Sequence, residues 1–298
     1  MNGPGAVVTV GSFDGVHRGH QAVLAEVLRR ARAQGLAGVL VTFEPHPLEV
    51  VNPAAAPRLL TLAEEKREIL ARLGLDRLDV VPFTPALARL DPEEFLRDVL
   101  RARYDMRELV VGYDHGFGRG RSGDVEVVRR LGAAQGFGVG VVGAVMDGDG
   151  PISSTRIREA VAGGDLAAAG RWLGRPYTLL GRVGPGAGRG RTIGVPTINL
   201  AVPDPRKLLP PDGVYAVRVY WRGACHGGMM NQGPRPTFGV DARGLEIHLF
   251  DFSAELYGET VNVEWVRRLR DVTAFPSREA LVEQLGRDAR AARDSLNL

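Results

Sequence analysis

The stretch VTVGSFDGVHRGHQAVL, residues 8 to 24, decides the fold of the first part of this chain. An apolar, β-branched run ends in a turn that holds Asp14, His17 and His20, with glycines between them. Helical periodicity begins at about His20. A strand, a polar glycine-rich turn and a helix in this order are typical of the first crossover of a parallel sheet.

The polar residues of this turn lie where an open parallel sheet binds its ligands, outside the carboxyl ends of the strands. Gly11 and Gly19 lack a Cβ and would let phosphates approach the backbone. The helix start offers free N–H groups to an anion, and two imidazoles can add hydrogen bonds. Two other interpretations are open, a plain turn with surface histidines and a zinc site, although no third zinc ligand has suitable spacing.

The composition is that of an ordinary globular chain. It has 298 residues, 44% of them hydrophobic and 24% charged, with a net charge of +3, which suits two domains and a phosphate-rich small substrate. Cys225 is the single cysteine, which excludes an intrachain disulfide and a multi-cysteine zinc site. Signal-peptide and membrane-spanning patterns are not found in the sequence. We therefore expect a cytoplasmic protein with no membrane or nucleic-acid partner.

The order of the predicted elements changes near residue 176. Before it, short apolar strands alternate with helices, which predicts a parallel sheet with crossover helices. One helix has a clear start in Asp91, Pro92 and Glu94. After it, short alternating strands separated by Gly- and Pro-rich turns predict an antiparallel sheet or small barrel, followed by an amphipathic helix. We predict two domains, residues 1–176 and 177–298.

Two further segments of the first part carry polar residues after a predicted strand or at a helix start. VVGYDHGFGRGRSGD, residues 110 to 124, holds Asp114, Phe117 and arginines in a glycine-rich loop, which could equally be a flexible turn. ISSTRIRE, residues 152 to 159, opens a helix with hydroxyl residues. These are first of all N-cap residues, and a second anion site at the same helix start is compatible with capping.

The second part opens with GRVGPGAGRGRTIGVPTINL, residues 181 to 200. Its glycines and arginines can wrap phosphates, but it lacks the P-loop pattern. Thr197 and Asn199 lie two apart on one strand face, as hard oxygen donors suited to Mg²⁺ or as ordinary surface residues. In GLEIHLFDF, residues 244 to 252, Glu246 is either a solvated carboxylate or a general base.

The motifs GSFDGVHRGH, FEPHP, GYDHGFG and ISSTRIR, in this order, resemble the H-x-G-H nucleotidyltransferases. Within that superfamily they are similar to the adenylyltransferase half of the bacterial bifunctional riboflavin kinase/FAD synthetases. The resemblance implies that ATP and its phosphates contact Gly11, Phe13, Asp14, His17, His20, Asp114, Ser154, Thr155 and Arg158. His115 and Gly116 depart from the family pattern, which bears on the flavin contacts, for which we predict Phe117 and Arg270.

The segments from GRGRTIGVPTINL to the closing helix resemble the riboflavin kinase domain of the same family. This resemblance implies a six-stranded antiparallel barrel, Mg²⁺ and nucleotide contacts at Thr197 and Asn199, and Glu246 as the catalytic base. The ATP loop is then formed by Gly186, Gly188, Arg189, Gly190 and Arg191. The implied enzyme phosphorylates riboflavin to FMN with ATP and Mg²⁺, then adenylylates FMN to FAD.

Three other functions fit parts of the sequence. A class I aminoacyl-tRNA synthetase shares the nucleotide motif, but it would need a Lys-rich phosphate loop where ISSTRIR stands. A cytidylyltransferase leaves PTIN, residues 196 to 199, without a role. A flavin-binding regulator that has lost catalysis would not need His17, His20 and Glu246.

Overall fold

The computed structural model describes residues 5–148, 150–185, 194–201, 204–234 and 243–298. The chain forms two compact units, Met1–Ser154 and Thr155–Leu298. The predicted boundary at residues 176 and 177 stays a prediction, since the units divide at the start of the helical pair that precedes it. Among the described residues, none of the helices combines the length and the apolar character that a membrane span requires.

The first unit contains a parallel five-stranded sheet in the order β3-β2-β1-β4-β5. Its strands, β1 to β5, are Ala6–Val10, Ala37–Glu44, Arg77–Pro82, Met106–Gly112 and Gly138–Val142. The chain moves outward from β1 to β3, then returns to the other side of β1 for β4. The crevice between β1 and β4 is therefore the point where the strand order reverses, which is where such sheets bind ligands.

Strand β1 is the central strand of the sheet, and its five residues are all buried. Ala6 and Val8 belong to the apolar cluster on one face of the sheet, and Val7 belongs to the cluster on the other. Such a strand, apolar on both faces, fits only a sheet that is covered by helices on both sides. This arrangement confirms the predicted α/β fold of the first unit.

The predicted helices of the first unit are present, with two differences: the helix expected to stop at Gly74 ends at Ala71, and the one that starts after Asp91 is interrupted by a π-helical segment. The helices of this unit are α1 to α7: Arg18–Gln34, Pro47–Val51, Ala63–Ala71, Pro85–Arg89, Pro92–Glu94, Ala102–Tyr104 and Val125–Gln135. Helices α2 and α4 were not predicted from the sequence. A π-helical segment, Phe95–Arg101, joins α5 to α6, and one-turn 3₁₀ helices occupy Pro53–Ala55 and Arg119–Arg121. Asp91 caps α5 in a reciprocal pair with Glu94, and Gly35 ends α1 in the left-handed conformation.

The second unit is a closed antiparallel barrel of six strands in the order β10-β11-β12-β9-β8-β13. Strands β8 to β13 are Thr178–Gly184, Ile198–Ala201, Gly213–Trp221, Ala224–Pro234, Arg243–Leu249 and Thr260–Arg270. Helices α8, Ser154–Gly163, and α9, Leu166–Leu173, precede the barrel, and a two-stranded pair, β6 at Met146–Asp147 and β7 at Gly150–Pro151, precedes α8. The predicted six-stranded barrel is confirmed.

Alternation in the barrel strands separates an inner apolar core from an outer face. On β12, Leu245 and Ile247 are fully buried, while Glu246 between them is exposed. Helix α10, Arg278–Leu296, covers part of the outer face with an apolar cluster that includes Met229, Phe250 and Ala292. The closing amphipathic helix predicted from the sequence is therefore present and leaves Glu246 outside its apolar contact.

Candidate active sites

The turn after β1 has an unusual backbone. Phe13, Gly15 and Val16 have φ angles of 47°, 82° and 41°. Only glycine adopts such values without strain, and Val16 is β-branched, so the surrounding contacts must enforce this shape. Contacts with the surrounding structure therefore hold the turn in a single conformation.

His17 is the N-cap of α1, and its Nδ1 accepts a hydrogen bond from the backbone N–H of His20 at 3.3 Å. An accepting Nδ1 means that Nε2 carries the proton in the neutral imidazole and can donate it to an acceptor. The two histidine rings stack with centroids 3.6 Å apart, and Phe13 lies 4.7 Å from His20. The structure therefore brings the predicted pair together at a helix start whose first turn carries no acidic residue.

Two glycines of the motif are required by contacts within the turn itself, which could not be recognised from the sequence. A Cβ on Gly19 would lie 3.0 Å from Cε1 of His17, so Gly19 makes room for the histidine ring. A Cβ on Gly11 would lie 3.1 Å from the Phe13 ring. The Gly11 N–H donates to the carbonyl of Val41, which ties the turn to β2.

Asp14 is buried beneath the turn, 3% exposed. Its carboxylate accepts from the backbone N–H groups of Leu60, at 3.0 Å, and Thr61, at 2.9 Å. The carbonyl of Asp14 accepts from the Ser154 hydroxyl at 3.0 Å, which ties the turn to the last residue of the first unit. The carboxylate of Asp14 therefore shapes the turn from below.

The other residues predicted for the first site take different positions. Asp114 is exposed in the turn that follows β4, the strand beside β1. Phe117 is buried against Phe95, with ring centroids 5.4 Å apart, as part of the core. Thr155 is exposed and Arg158 half-buried on α8. The predicted ligand contacts of these four residues stay predictions.

Lys66 is a residue of the first site that no motif marked. It is 6% exposed, and its ammonium donates to the carbonyl of Ser12 at 3.1 Å and to the Thr42 hydroxyl at 3.4 Å. Desolvation lowers the pKa of Lys66, and the charges of Glu44 and Asp14 partly oppose that shift. The Lys66 side chain thus contacts the backbone of the turn at Ser12.

In the second unit, strand register builds a row of residues across the barrel. Asn199 of β9 pairs with Glu246 of β12, and Glu246 pairs with Asn231 of β11. Asn231 pairs with Val214 of β10, and Val214 pairs with Arg270 of β13. Residues directly opposite one another share a face, so side chains predicted from three distant motifs lie on one row. Asn231 is the member that the sequence analysis missed.

A cavity of about 280 Å³ opens on this row. Thr197, Asn231, Glu246 and Arg270 line it together with apolar side chains, among them Val214, Met229, Leu281 and Leu285. An apolar cavity with a few convergent polar groups is the usual form of a small-molecule site. The cavity lies between the outer face of the barrel strands and α10.

A second cavity of about 260 Å³ lies on the other side of Thr197. The start of β9 lines it together with residues 252 to 257, including Phe252, Leu256 and Tyr257. Thr197 borders both cavities, so a group held in one can meet a group held in the other at this residue.

Arg270 lines the first cavity but its guanidinium is held by α10. It donates to Asp288 through Nε, at 3.0 Å, and through Nη2, at 2.7 Å, and Asp288 is 3% exposed. Gln284 donates to the same carboxylate at 2.8 Å. A two-point pair of this kind fixes orientation as well as distance, so Arg270 anchors the helical wall of the cavity. Its predicted flavin contact stays a prediction.

The predicted ATP loop of the second unit lies outside the described residues. This applies to Gly186, Gly188, Arg189, Gly190 and Arg191. In the same unit, His248 on β12 holds the chain just before Thr197, because its Nδ1 lies 2.8 Å from the Pro196 carbonyl oxygen. Strand β12 therefore contacts this segment at two points: His248 at Pro196, just before Thr197, and Glu246 opposite Asn199.

The geometry of the two units is that of an enzyme with two group-transfer sites. A reversing parallel sheet with paired histidines at a helix start suits transfer of a nucleotidyl group, and a barrel cavity with a carboxylate suits transfer to a hydroxyl. Comparison with known proteins agrees with this division. Residues 1–156 match the FAD synthetase family model, and residues 173–296 match the riboflavin kinase family model.

The curated relatives cover nearly the whole chain. The bifunctional riboflavin kinase/FMN adenylyltransferase of Escherichia coli K12 is 39% identical over 295 residues, 99% of this chain and 94% of the relative. The Bacillus subtilis protein of the same name is 35% identical over 293 residues, 96% of this chain and 91% of the relative. This chain belongs to the bifunctional riboflavin kinase/FMN adenylyltransferase family, and it is an enzyme of flavin cofactor synthesis.

A solved structure described as a macrolide-efflux protein from Streptococcus pneumoniae is also similar. It is 35% identical, with a TM-score of 0.87, and the match covers 98% of this chain and 95% of that one. The resemblance stated from the sequence motifs is confirmed by the family models and the relatives.

Proposed function

We propose that the barrel unit phosphorylates riboflavin and that the sheet unit adenylylates the resulting FMN, each with its own ATP. The observation that carries the proposal is the cross-strand row, which sets Glu246 between two amide side chains beside a cavity of about 280 Å³. A single strand could not assemble these groups, because they come from different strands of a closed barrel.

In the barrel unit, riboflavin occupies the cavity under α10, with its apolar ring against Met229, Leu281 and Leu285. Glu246 accepts the proton of the terminal ribityl hydroxyl, and that oxygen attacks the γ-phosphorus of ATP as ADP leaves. Asn231 flanks Glu246 and can hydrogen-bond a ribityl hydroxyl. The nucleotide occupies the second cavity, which meets the first at Thr197.

Thr197 and Asn199 fit a magnesium ion by the chemistry of their donors. A hydroxyl and an amide oxygen are hard ligands, and Mg²⁺ takes much of its shell from water and phosphate rather than from protein. The ion would offset the negative charge of the transferred phosphoryl group. Asn199 of β9 lies opposite Glu246, and Thr197 directly precedes β9.

In the sheet unit, an oxygen of the FMN phosphate attacks the α-phosphorus of ATP, and pyrophosphate leaves. The nucleophile is already ionised at neutral pH, so this step needs positioning and charge stabilisation rather than a strong base. His17 donates from Nε2 because its Nδ1 is used in capping α1. His20 and Ser154 are assigned to the same negative charge, and Asp14 acts by shaping the turn. The phosphate contacts that the motif resemblance implies for Thr155 and Arg158 stay predictions.

The proposal is tested by incubating the full chain with riboflavin, ATP and Mg²⁺ and separating the flavins by chromatography. We expect FMN to form first and FAD to follow. Supplying FMN instead of riboflavin should give FAD without a lag. Flavin that is bound but chemically unchanged would contradict the proposal and favour a flavin-binding regulator. The cytoplasmic location and the lack of a nucleic-acid partner stay predictions.

A further inference from the structure

The turn that carries the nucleotide motif cannot hold its shape alone. Three of its residues have positive φ angles, and two of them, Phe13 and Val16, are not glycine. Such conformations persist when neighbouring structure determines them more strongly than local preference does. The neighbour in this case is the segment that leads into α3, residues 60 to 62.

Thr61 makes the central contacts of this segment. Its hydroxyl accepts from the backbone N–H of Gly15 at 3.0 Å and lies 3.1 Å from Oδ1 of Asp14, to which it donates. Its own backbone N–H donates to the same carboxylate oxygen at 2.9 Å. One side chain thus binds the backbone of the turn and the carboxylate beneath it at once.

The hydroxyl is the feature of Thr61 that these contacts require. A hydroxyl can donate and accept at the same time, whereas a methyl group of the same size can do neither. Thr61 is 7% exposed, so water cannot easily replace the lost partners. The Leu62 N–H is held by Glu65 at 2.8 Å, which fixes the start of α3 behind Thr61.

We propose that Thr61 is a positioning residue for adenylyl transfer: its hydroxyl holds Asp14 and Gly15 so that the turn is ready for the ATP phosphates before they bind. This inference rests on the proposed function of the first unit. Thr61 lies outside every motif that marked the site, and it acts through the turn rather than on the substrate.

The test compares Thr61→Val, which keeps the shape, with Thr61→Ser, which keeps the hydroxyl. FAD formation from supplied FMN is measured over a range of ATP concentrations. We expect Thr61→Val to lower kcat/KM for ATP about tenfold, the effect of a lost buried hydrogen-bond partner. Thr61→Ser should stay close to wild type, and the KM for FMN should not change in either variant.

FMN formation from riboflavin is measured on the same preparations as an internal control. It should be unchanged, because Thr61 and the barrel belong to different units. If Thr61→Val does not fold, Thr61→Cys takes its place, since a thiol is a weak donor and acceptor and should give an intermediate loss.

Three results would overturn the role of Thr61: full activity with ATP in the valine variant, an equal loss in the serine variant, or a parallel loss of FMN formation. These results can be distinguished from a failure of the proposed function, in which the wild-type chain would make no FAD from FMN.

Discussion

The two sites of this enzyme are built in opposite ways. The site in the sheet unit is centred on one contiguous turn, and buried side chains such as Asp14 and Thr61 hold that turn in a strained shape. The site in the barrel unit comes from five strands, and its residues meet because the barrel register aligns Asn199, Glu246 and Asn231.

The difference shows which structural feature each site depends on. A local motif depends on the layer beneath it, because a turn with positive φ angles relaxes when its support is lost. A row across a sheet depends on register, which the many ladder hydrogen bonds and the apolar core specify together. We therefore expect substitutions in the barrel row to change the catalytic step without changing the barrel. Substitutions beneath the turn should instead change the conformation of the turn.

The largest effect should follow from Glu246→Gln, which keeps the shape of the side chain and removes the base. We expect FMN formation from riboflavin to fall about 10²–10⁴-fold, the usual contribution of a positioned general base. FAD formation from supplied FMN, measured by chromatography, should persist. Equal loss of both activities would mean that the two sites are not independent.

His17→Ala should affect the other activity. We expect FAD formation to fall about 10²–10³-fold, as when one donor to a developing negative charge is removed. The variant also loses an N-cap, which costs about 0.5–2 kcal/mol. His17→Asn separates the two roles, because asparagine caps helices well but carries no imidazole. An active asparagine variant would reduce His17 to a capping residue.

Asp288→Asn tests the wall of the barrel cavity. It leaves Arg270 without its charged partner, and we expect the second unit to lose stability towards the lower end of about 3–5 kcal/mol. The lower end applies because the Arg270 side chain keeps 22% exposure. Calorimetry of the full chain measures the loss, and the KM for riboflavin should rise as α10 loosens.

Glu283→Gln is the matched control on the same helix. It breaks the exposed pair with Arg287, whose side chains are 71% and 51% exposed. Pairs of this kind contribute about 1 kcal/mol or less. A control that destabilises the chain as much as Asp288→Asn would contradict the anchoring role of the buried pair.

The smallest effect is expected for Lys66→Met. Burial lowers the pKa of Lys66 below its ordinary value of 10.5, so its protonation disfavours the folded state at neutral pH. We expect the variant to unfold at a slightly higher temperature than wild type at neutral pH. The difference in unfolding temperature between variant and wild type should shrink as the pH rises towards 10.5, because the folded lysine loses its proton while the unfolded lysine still keeps it.

Arg67→Met, at the exposed neighbouring position, is the control for the loss of one charge. Because the Arg67 charge contributes to the lowered pKa of Lys66, the Arg67 variant should show, relative to wild type, a smaller change of unfolding temperature with pH than Lys66→Met, and in the same direction. A Lys66→Met variant that is less stable than wild type would show that the hydrogen bonds to Ser12 and Thr42 outweigh the cost of the buried charge.

The sequence alone was sufficient to predict the parallel sheet of the first unit and the antiparallel strands and closing helix of the second. Apolar runs of period two and helical caps are local signals, so β1, the start of α5 at Asp91 and the closing helix could be predicted. His17 and His20 belong to one helix start, so their proximity also follows from local geometry. Both family models agree with the motifs that indicated the two activities.

Tertiary structure alone decided which distant residues support these motifs. Thr61 lies just before α3 and Lys66 lies within it, and no spacing links them to the turn 46 or more positions earlier. Asn231 faces Glu246 only because antiparallel register pairs their strands. Local preferences act over a few residues, whereas loop contacts and register depend on the closed sheet and barrel, so these partners become visible only when the chain is folded.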